Sequence, residues 1–416
     1  MVWIVALFVL PRAAMIACHV TPTSDADWYY GHAAQMAAGM DYLDGQGHPT
    51  AFWPVGWPWL LSLAFRVGGV SVWTVGVVNL LAAMATGWLM LDLGRRWTGS
   101  ETAARAGLLA YAVYPNAVLY VPLALTEVPY TALLLFAIWL MVVPARTPLR
   151  GWAALVAAGL VLGLATLVKA QTLVIVPAIM AIALWREPRV WQRLPRVAAQ
   201  GAIILGVAAL AVAPWTLRNH REMGAWVPVS TNGGFTLLTG NNDSANGGYT
   251  PDDPVVRWLN TRHDLGEVAY DAEARRLGMA WIRSHPAGFA RQAPLKLWRL
   301  WGPDGEGQWA YETGSSAFRA APHAFLAVRA LNQAWYWLLL AAFAVAPWPI
   351  VRARRAAGQR LIDWWLIAYA VAAFPSAIAV VFSGQSRFHY PVMPFVCIIA
   401  GWLIARLLAA RARADA

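Results

Sequence analysis

Ten apolar segments recur along the chain, at 2–20, 71–92, 104–122, 124–143, 152–169, 172–185, 198–217, 324–348, 362–383 and 391–409. A bilayer core of about 30 Å needs about 20 apolar residues in a helix. All but 172–185, which is short, approach that length, and backbone in lipid must satisfy its own hydrogen bonds, so the spans must be helical. The fold class is an all-α polytopic membrane protein with about ten transmembrane helices. Charged residues make up only 13% of the sequence and hydrophobic ones 59%, far from the soluble norm of about 25% charged. Met1 to Cys18 lacks a basic leader region and contains Arg12, so it reads as a retained first helix rather than a cleaved signal.

The formal charge of +11 does not form one basic stripe, which argues against a nucleic-acid partner. Arginines instead fill alternate connections: Arg95, Arg96 and Arg105; Arg146 and Arg150; Arg186, Arg189, Arg193 and Arg196; Arg352, Arg354, Arg355 and Arg360; and Arg411 and Arg413. The positive-inside bias places these connections and both termini in the cytoplasm of a bacterial inner membrane. The chain then divides into a transmembrane module over 1–217, a periplasmic loop domain over 218–323 and a second transmembrane module over 324–416. Cys18 and Cys397 both lie in apolar segments and read as small buried hydrophobes.

The first outer loop, 19–70, has its own pattern. Residues 27–40 suit a short helix capped by Ser24 or Asp25, and 57–67 suit a second, both rich in interfacial aromatics. The outer segment begins Gly- and Asn-rich and continues as helices near 253–283 and 286–301.

Four polar clusters fall on the outer side of this topology. Asp25 and Asp27 follow the first span, where they either cap the helix or supply a general base. Glu127 lies in the tight turn between the third and fourth spans, where a lone acid at an apolar boundary is costly unless paired or functional. Lys169 and Gln171 occupy the turn between the fifth and sixth spans, against the charge bias, so Lys169 needs an anionic partner: a lipid headgroup or a substrate phosphate. Arg387 precedes the last span and suits a phosphate. Tyr29, His389 and Tyr390 offer aromatic surface for an isoprenoid or sugar, with interfacial packing as the alternative for His389. Two carboxylates and two cations at a lipid–water boundary suit group transfer from a lipid phosphate. A flippase or transporter would instead need charges at mid-membrane, and a scaffold would need no convergence of these residues.

The residues in these turns resemble the GT-C glycosyltransferases, in particular family 39, the PMT-type relatives of the protein O-mannosyltransferases and of the lipid A aminoarabinose transferase. SDADWYYGHAAQMAAGMDY followed by HPTAFWPVGWPWLLSLAF is similar to that family's first outer loop. YPNAVLYVPLALTEVPYTALLL, GLVLGLATLVKAQTLVIVP, APWTLRNHREMGAWVPVSTNGGFTLLTGNN and SRFHYPVMPFVCIIAG follow in the family's order. The resemblance implies a GT-C fold and an inverting transfer of a hexose or pentose from a polyprenyl-phosphate donor at the periplasmic face. The acceptor would be a glycan, lipid or protein. It implies Asp25 as the catalytic base, with Asp27 as second choice, and Glu127 as the second acid. It implies Lys169, Gln171 and Arg387 at the donor phosphate. A divalent ion (Mg, Mn or Zn), where a member uses one, would be held by Asp25 and Glu127.

Overall fold

A computed structural model describes residues 1–143, 147–186 and 188–415; Arg146, counted above among the cytoplasmic arginines, lies outside them. The first half of the chain forms α1 (Val2–Ile16), α2 (Asp25–Ala37), α3 (Gly56–Gly68), α4 (Val72–Thr98), α5 (Glu101–Ala112), α6 (Pro115–Leu119), α7 (Glu127–Val142), α8 (Pro148–Val168), α9 (Ile175–Trp185) and α10 (Val190–Met223). The outer segment carries α11 (Gly233–Gly240), α12 (Pro254–Asn260), α13 (Glu267–Ser284), α14 (Pro286–Trp301), α15 (Trp309–Gly314) and α16 (Ser316–Ala320). α17 (Pro322–Val345), α18 (Pro347–Ala356), α19 (Leu366–Val381) and α20 (Met393–Ala414) complete the bundle. No strand occurs among the described residues.

Among the described residues, five helical stretches are long and apolar enough to cross a membrane: Val72–Thr98, Pro148–Val168, Val190–Met223, Pro322–Ala356 and Ser386–Ala414. Val2–Ile16, Glu127–Val142, Thr172–Trp185 and Leu366–Val381 are shorter apolar helices. The third expected span, 104–122, is not one helix. Pro115 lacks an N–H and pushes the residue before it out of helical backbone, and Tyr114 has ψ 110°. α5 therefore stops at Ala112, and the short α6 follows a turn.

The break leaves α5 with unpaired carbonyls inside the bundle, and Arg12 meets them. Its side chain is fully buried. Nη2 donates to the Tyr111 carbonyl at 3.0 Å, and Nη1 donates to the carbonyls of Ala112 at 3.1 Å and Phe8 at 2.9 Å. The guanidinium also lies 4.0 Å from the Phe8 ring centroid. A cation at a helix C-terminus also matches the helix dipole. The charge that seemed to interrupt the first span is thus its tie to the third.

An Arg12→Met variant would strand the Ala112 carbonyl, at a cost of about 1–3 kcal/mol, and leave the Tyr111 carbonyl only the Tyr114 amide at 3.4 Å. Its thermal midpoint in detergent is expected to fall by several degrees, with Arg12→Lys recovering only part because it offers no fork of donors. A midpoint equal to the wild type's would refute the capping role.

Glycines set how closely the helices cross. A Cβ on Gly107 of α5 would stand 2.8 Å from the Cys397 carbonyl of α20, and one on Gly401 would meet the Ala103 carbonyl. Small residues at such crossings let membrane helices pack by close backbone contact. Gly56, at the start of α3, approaches the backbone of Leu167 in the same way, at 2.5 Å. That seats the first outer loop on the end of α8, two residues before Lys169.

Candidate functional site

α2 starts at Asp25, but no side-chain bond caps it: Ser24 is at the N-cap with φ 53° and its hydroxyl accepts nothing from the helix. The capping role expected for Ser24 or Asp25 is not found. Instead, Asp25 Oδ2 accepts from Arg387 Nη1 at 2.6 Å, with both side chains about four-fifths buried. Its other oxygen, Oδ1, has no hydrogen-bond partner among the described residues. Asp27 projects from the same turn and is exposed, so the structure separates the two adjacent acids.

The loop around Asp25 is held from several sides. His32 bridges the carbonyls of Trp28 (2.9 Å) and Leu43 (2.8 Å), and Trp28 Nε1 donates to Tyr42 Oη at 3.2 Å. Glu267, the first residue of α13, accepts from Thr50 Oγ1 (2.5 Å), the Ala51 amide (2.9 Å) and Thr231 Oγ1 (2.6 Å). Arg218 at the end of α10 donates to the carbonyls of Thr50 and Tyr42 at 2.8 and 2.7 Å. The outer segment therefore grips the 42–51 strip that follows α2.

The second ion pair joins Glu127, first residue of α7, to Lys169, the C-cap of α8: Nζ to Oε1 is 3.2 Å. Glu127 is 1% exposed and Lys169 14%. Glu127 Oε2 is buried with no partner among the described residues, so the pair is incompletely satisfied there. Phe388 connects the two pairs, because both the Lys169 ammonium and the Arg387 guanidinium lie 5.3 Å from its ring centroid. Tyr29 is buried beside them. Burial, and then the Asp25 carboxylate, raise its phenol well above the usual range, with Arg387 opposing and Glu127 adding. Asp25, Arg387, Glu127, Lys169 and Tyr29 thus share one site, although they lie up to 362 positions apart.

A groove leads from this site between α7 and α19. Its walls include Leu134, Val371, Phe374 and Ile378, and Lys169 and Gln171 stand among them with Tyr130 and Phe388. An apolar trough with an ammonium in its wall suits a lipid whose headgroup is anionic.

Tyr390 and His389 are not brought to this groove. Tyr390 is buried against Tyr111 (3.4 Å between hydroxyls) and Tyr120. His389 is fully buried, with Nε2 3.0 Å from Asp304 Oδ1 and Nδ1 2.5 Å from the Leu300 carbonyl. Asp304, which the sequence reading passed over, is the hub of that network. It accepts from Tyr114 Oη (2.5 Å), Asn116 Nδ2 (2.7 Å) and Asn332 Nδ2 (2.9 Å) as well. Nothing in GPDGEG distinguishes it from an ordinary turn acid. Lys296 was also passed over. It is fully buried, donates to Asn241 Oδ1 at 2.7 Å and to the Val380 carbonyl at 3.2 Å, and burial lowers its ammonium to about 8. With the close approach of Gly384 to the Lys296 backbone, it pins the turn leading to Arg387.

For a divalent ion the donor set does not fit. Arg387 and Lys169 already engage the two carboxylates, and no group of three His, Cys, Asp or Glu is placed to bind a metal among the described residues.

Comparison with known proteins locates this geometry. The family described as dolichyl-phosphate-mannose-protein mannosyltransferase matches residues 52–216. That stretch is less than half of the chain; it contains Glu127, Lys169 and Gln171 but not Asp25 or Arg387. No curated protein matches the chain. Among solved structures, the Archaeoglobus fulgidus oligosaccharyltransferase tethered with an acceptor peptide matches with a TM-score of 0.55 and 13% identity, over 98% of this chain and 50% of that one. The oligosaccharyltransferase AglB of the same organism, in complex with an inhibitory peptide and a dolichol-phosphate, matches with a TM-score of 0.53 and 14% identity, over 99% and 52%. ArnT from Cupriavidus metallidurans bound to undecaprenyl phosphate matches with a TM-score of 0.49 and 14% identity, over 97% and 77%. The chain thus spans about half the length of the two oligosaccharyltransferases. It has the all-α GT-C membrane fold, as the resemblance implied.

Proposed function

We propose that this chain is a membrane glycosyltransferase that moves a sugar from a polyprenyl-phosphate donor to an acceptor on a glycan, lipid or protein, with inversion. The observation that carries the proposal is the joining of two carboxylate–cation pairs through Phe388 at the end of an apolar groove. The family match and the shared fold support the same chemistry, and the archaeal enzyme solved with dolichol-phosphate uses that fold around a lipid phosphate.

In the proposed reaction the polyprenyl chain lies in the groove and its phosphate reaches Lys169 and Arg387. The acceptor hydroxyl attacks the sugar's anomeric carbon from the face opposite the phosphate. Its proton passes to Asp25 Oδ1, the oxygen left open by the Arg387 pair. The bond from the anomeric carbon to the phosphate oxygen breaks, and the two cations neutralise the departing lipid phosphate. Arg387 also orients Asp25 for the transfer. The arginine-rich connections support a cytoplasmic position for the opposite end of the bundle and, with it, a reaction at the periplasmic face of the inner membrane.

Incubating the purified full-length protein with a panel of labelled polyprenyl-phosphate sugars and a membrane extract of acceptors tests this reading. Label leaving one donor, with free polyprenyl phosphate released, is the expected result. Movement of intact donor across a vesicle membrane without release of label would identify a flippase instead.

A further inference from the structure

A second cavity, of about 470 Å³, lies on the other side of Arg387. It is bounded by Tyr249, Arg299, Trp309, Arg329, Gln385 and the 303–305 turn. Gln385 joins it to the site described above, because Gln385 Oε1 accepts from Arg387 Nε at 3.0 Å. Tyr249 on its rim is close enough to Asp25 for that carboxylate, after burial, to raise the Tyr249 phenol. The two cavities thus approach the reacting groups from different directions, one apolar and one polar.

Two carboxylates and two guanidiniums line this cavity, and they are not all paired with one another. Asp304 is consumed by its four donors, and Arg329 pairs with Glu312 at 2.8 Å. Arg299 has no acidic partner among the described residues. An exposed arginine is ordinarily a solvated surface group, but this one is fixed. Its Nε donates to the Asn246 carbonyl at 3.0 Å. Its stem runs between two glycines: a Cβ on Gly248 would stand 3.0 Å from Arg299 Cδ, and one on Gly384 would stand 3.0 Å from Arg299 Cβ. The terminal nitrogens Nη1 and Nη2 are left without hydrogen bonds among the described residues. A planar fork of this kind matches a phosphate or carboxylate by two parallel bonds. Trp309 and Tyr249 add aromatic surface, which suits the C–H face of a pyranose better than a bare ion. The volume falls in the range of small-ligand sites.

We propose that the Arg299 cavity binds the acceptor, and that this acceptor is an anionic saccharide: a sugar bearing a phosphate or carboxylate. The anionic group sits on the Arg299 fork, and a free hydroxyl of the same saccharide points toward Asp25. This rests on the glycosyltransferase reading and names the substrate that reading leaves open.

The test uses the full-length protein in lipid nanodiscs, with binding followed by ligand-observed NMR. The probes are glucose 6-phosphate, glucuronate, glucose, a neutral Ser/Thr peptide and undecaprenyl phosphate. Glucose 6-phosphate and glucuronate are expected to bind at least about tenfold more tightly than glucose, the scale of one charge-assisted fork. Arg299→Met is expected to bring them to the level of glucose while leaving undecaprenyl phosphate binding unchanged, and Arg299→Lys to fall between. Equal binding of charged and neutral sugars to the wild type overturns the proposal without any variant. So does displacement of undecaprenyl phosphate by glucose 6-phosphate, or tighter binding of the peptide. Absence of an anionic preference in the wild type, with its lipid binding intact, refutes only the acceptor class. Failure of the wild type to bind undecaprenyl phosphate at all refutes the donor reading beneath it.

Discussion

Asp25→Asn is expected to fold, insert and bind its lipid donor, yet to transfer sugar at least about 10²–10⁴-fold more slowly, the usual contribution of a positioned general base. The amide is nearly isosteric with the carboxylate but cannot take the acceptor's proton. It also loses the ionic part of the 2.6 Å contact with Arg387, so some of the loss belongs to positioning of that cation. Asp27→Asn separates the two contributions of the DAD stretch. Asp27 is exposed and pairs with nothing among the described residues, so its variant should keep wild-type turnover. Single-turnover transfer from a labelled donor measures both. Full activity in Asp25→Asn, or a loss confined to Asp27→Asn, would remove Asp25 from the reaction centre.

A second control concerns Arg387. Arg387→Lys keeps a cation near Asp25 but not the fork that engages Gln385 Oε1 and Asp25 Oδ2 together. Its main cost should appear in turnover rather than in donor affinity, because Lys169 remains in the groove.

Much of this site was legible in the sequence because acids and lysines are rare there and each has few explanations. Glu127, Lys169 and Arg387 occupy tight turns between apolar segments, where an unpaired charge is costly, and alternation of the spans sends those turns to one side. What the pattern does not carry is partner choice. Residue type and spacing alone leave Asp25 and Asp27 equivalent, and only the family resemblance ranks Asp25 first; in the structure both fall in the first turn of one helix. Only the approach of the 385–388 turn distinguishes them. Asp304 and Lys296 were invisible for a related reason. Each lies in the polar outer segment, where charges are unremarkable, and each becomes unusual only once its side chain is seen to be buried. The broken third span shows the opposite limit. Pro115 was in plain view, but hydropathy averages over it, and the compensating donor, Arg12, comes from a helix about 100 positions earlier.

The largest stability effect is expected from Lys169→Met. Glu127 is 1% exposed, one of its oxygens has no partner, and the other depends on the Lys169 ammonium. Removing that ammonium leaves a buried carboxylate with nothing to offset its desolvation, a change that typically costs about 3–5 kcal/mol. Low yield or a collapsed thermal midpoint in this variant would say nothing about donor binding. The double variant Glu127→Gln/Lys169→Met resolves the ambiguity, since it removes both charges and leaves neutral groups of similar volume. Replacing a whole buried pair is often neutral or stabilising, so the double variant should regain most of the wild-type midpoint. If Lys169 serves only Glu127, the double variant should also bind undecaprenyl phosphate as the wild type does. If Lys169 holds the lipid phosphate, the restored protein should bind it at least about tenfold more weakly, the loss of one charge-assisted contact. The second outcome is expected, because Lys169 keeps 14% of its side chain open while lining the groove beside Gln171 and Phe388. Wild-type lipid affinity in a folded double variant would move the phosphate away from Lys169 and leave Arg387 as the cation that receives it.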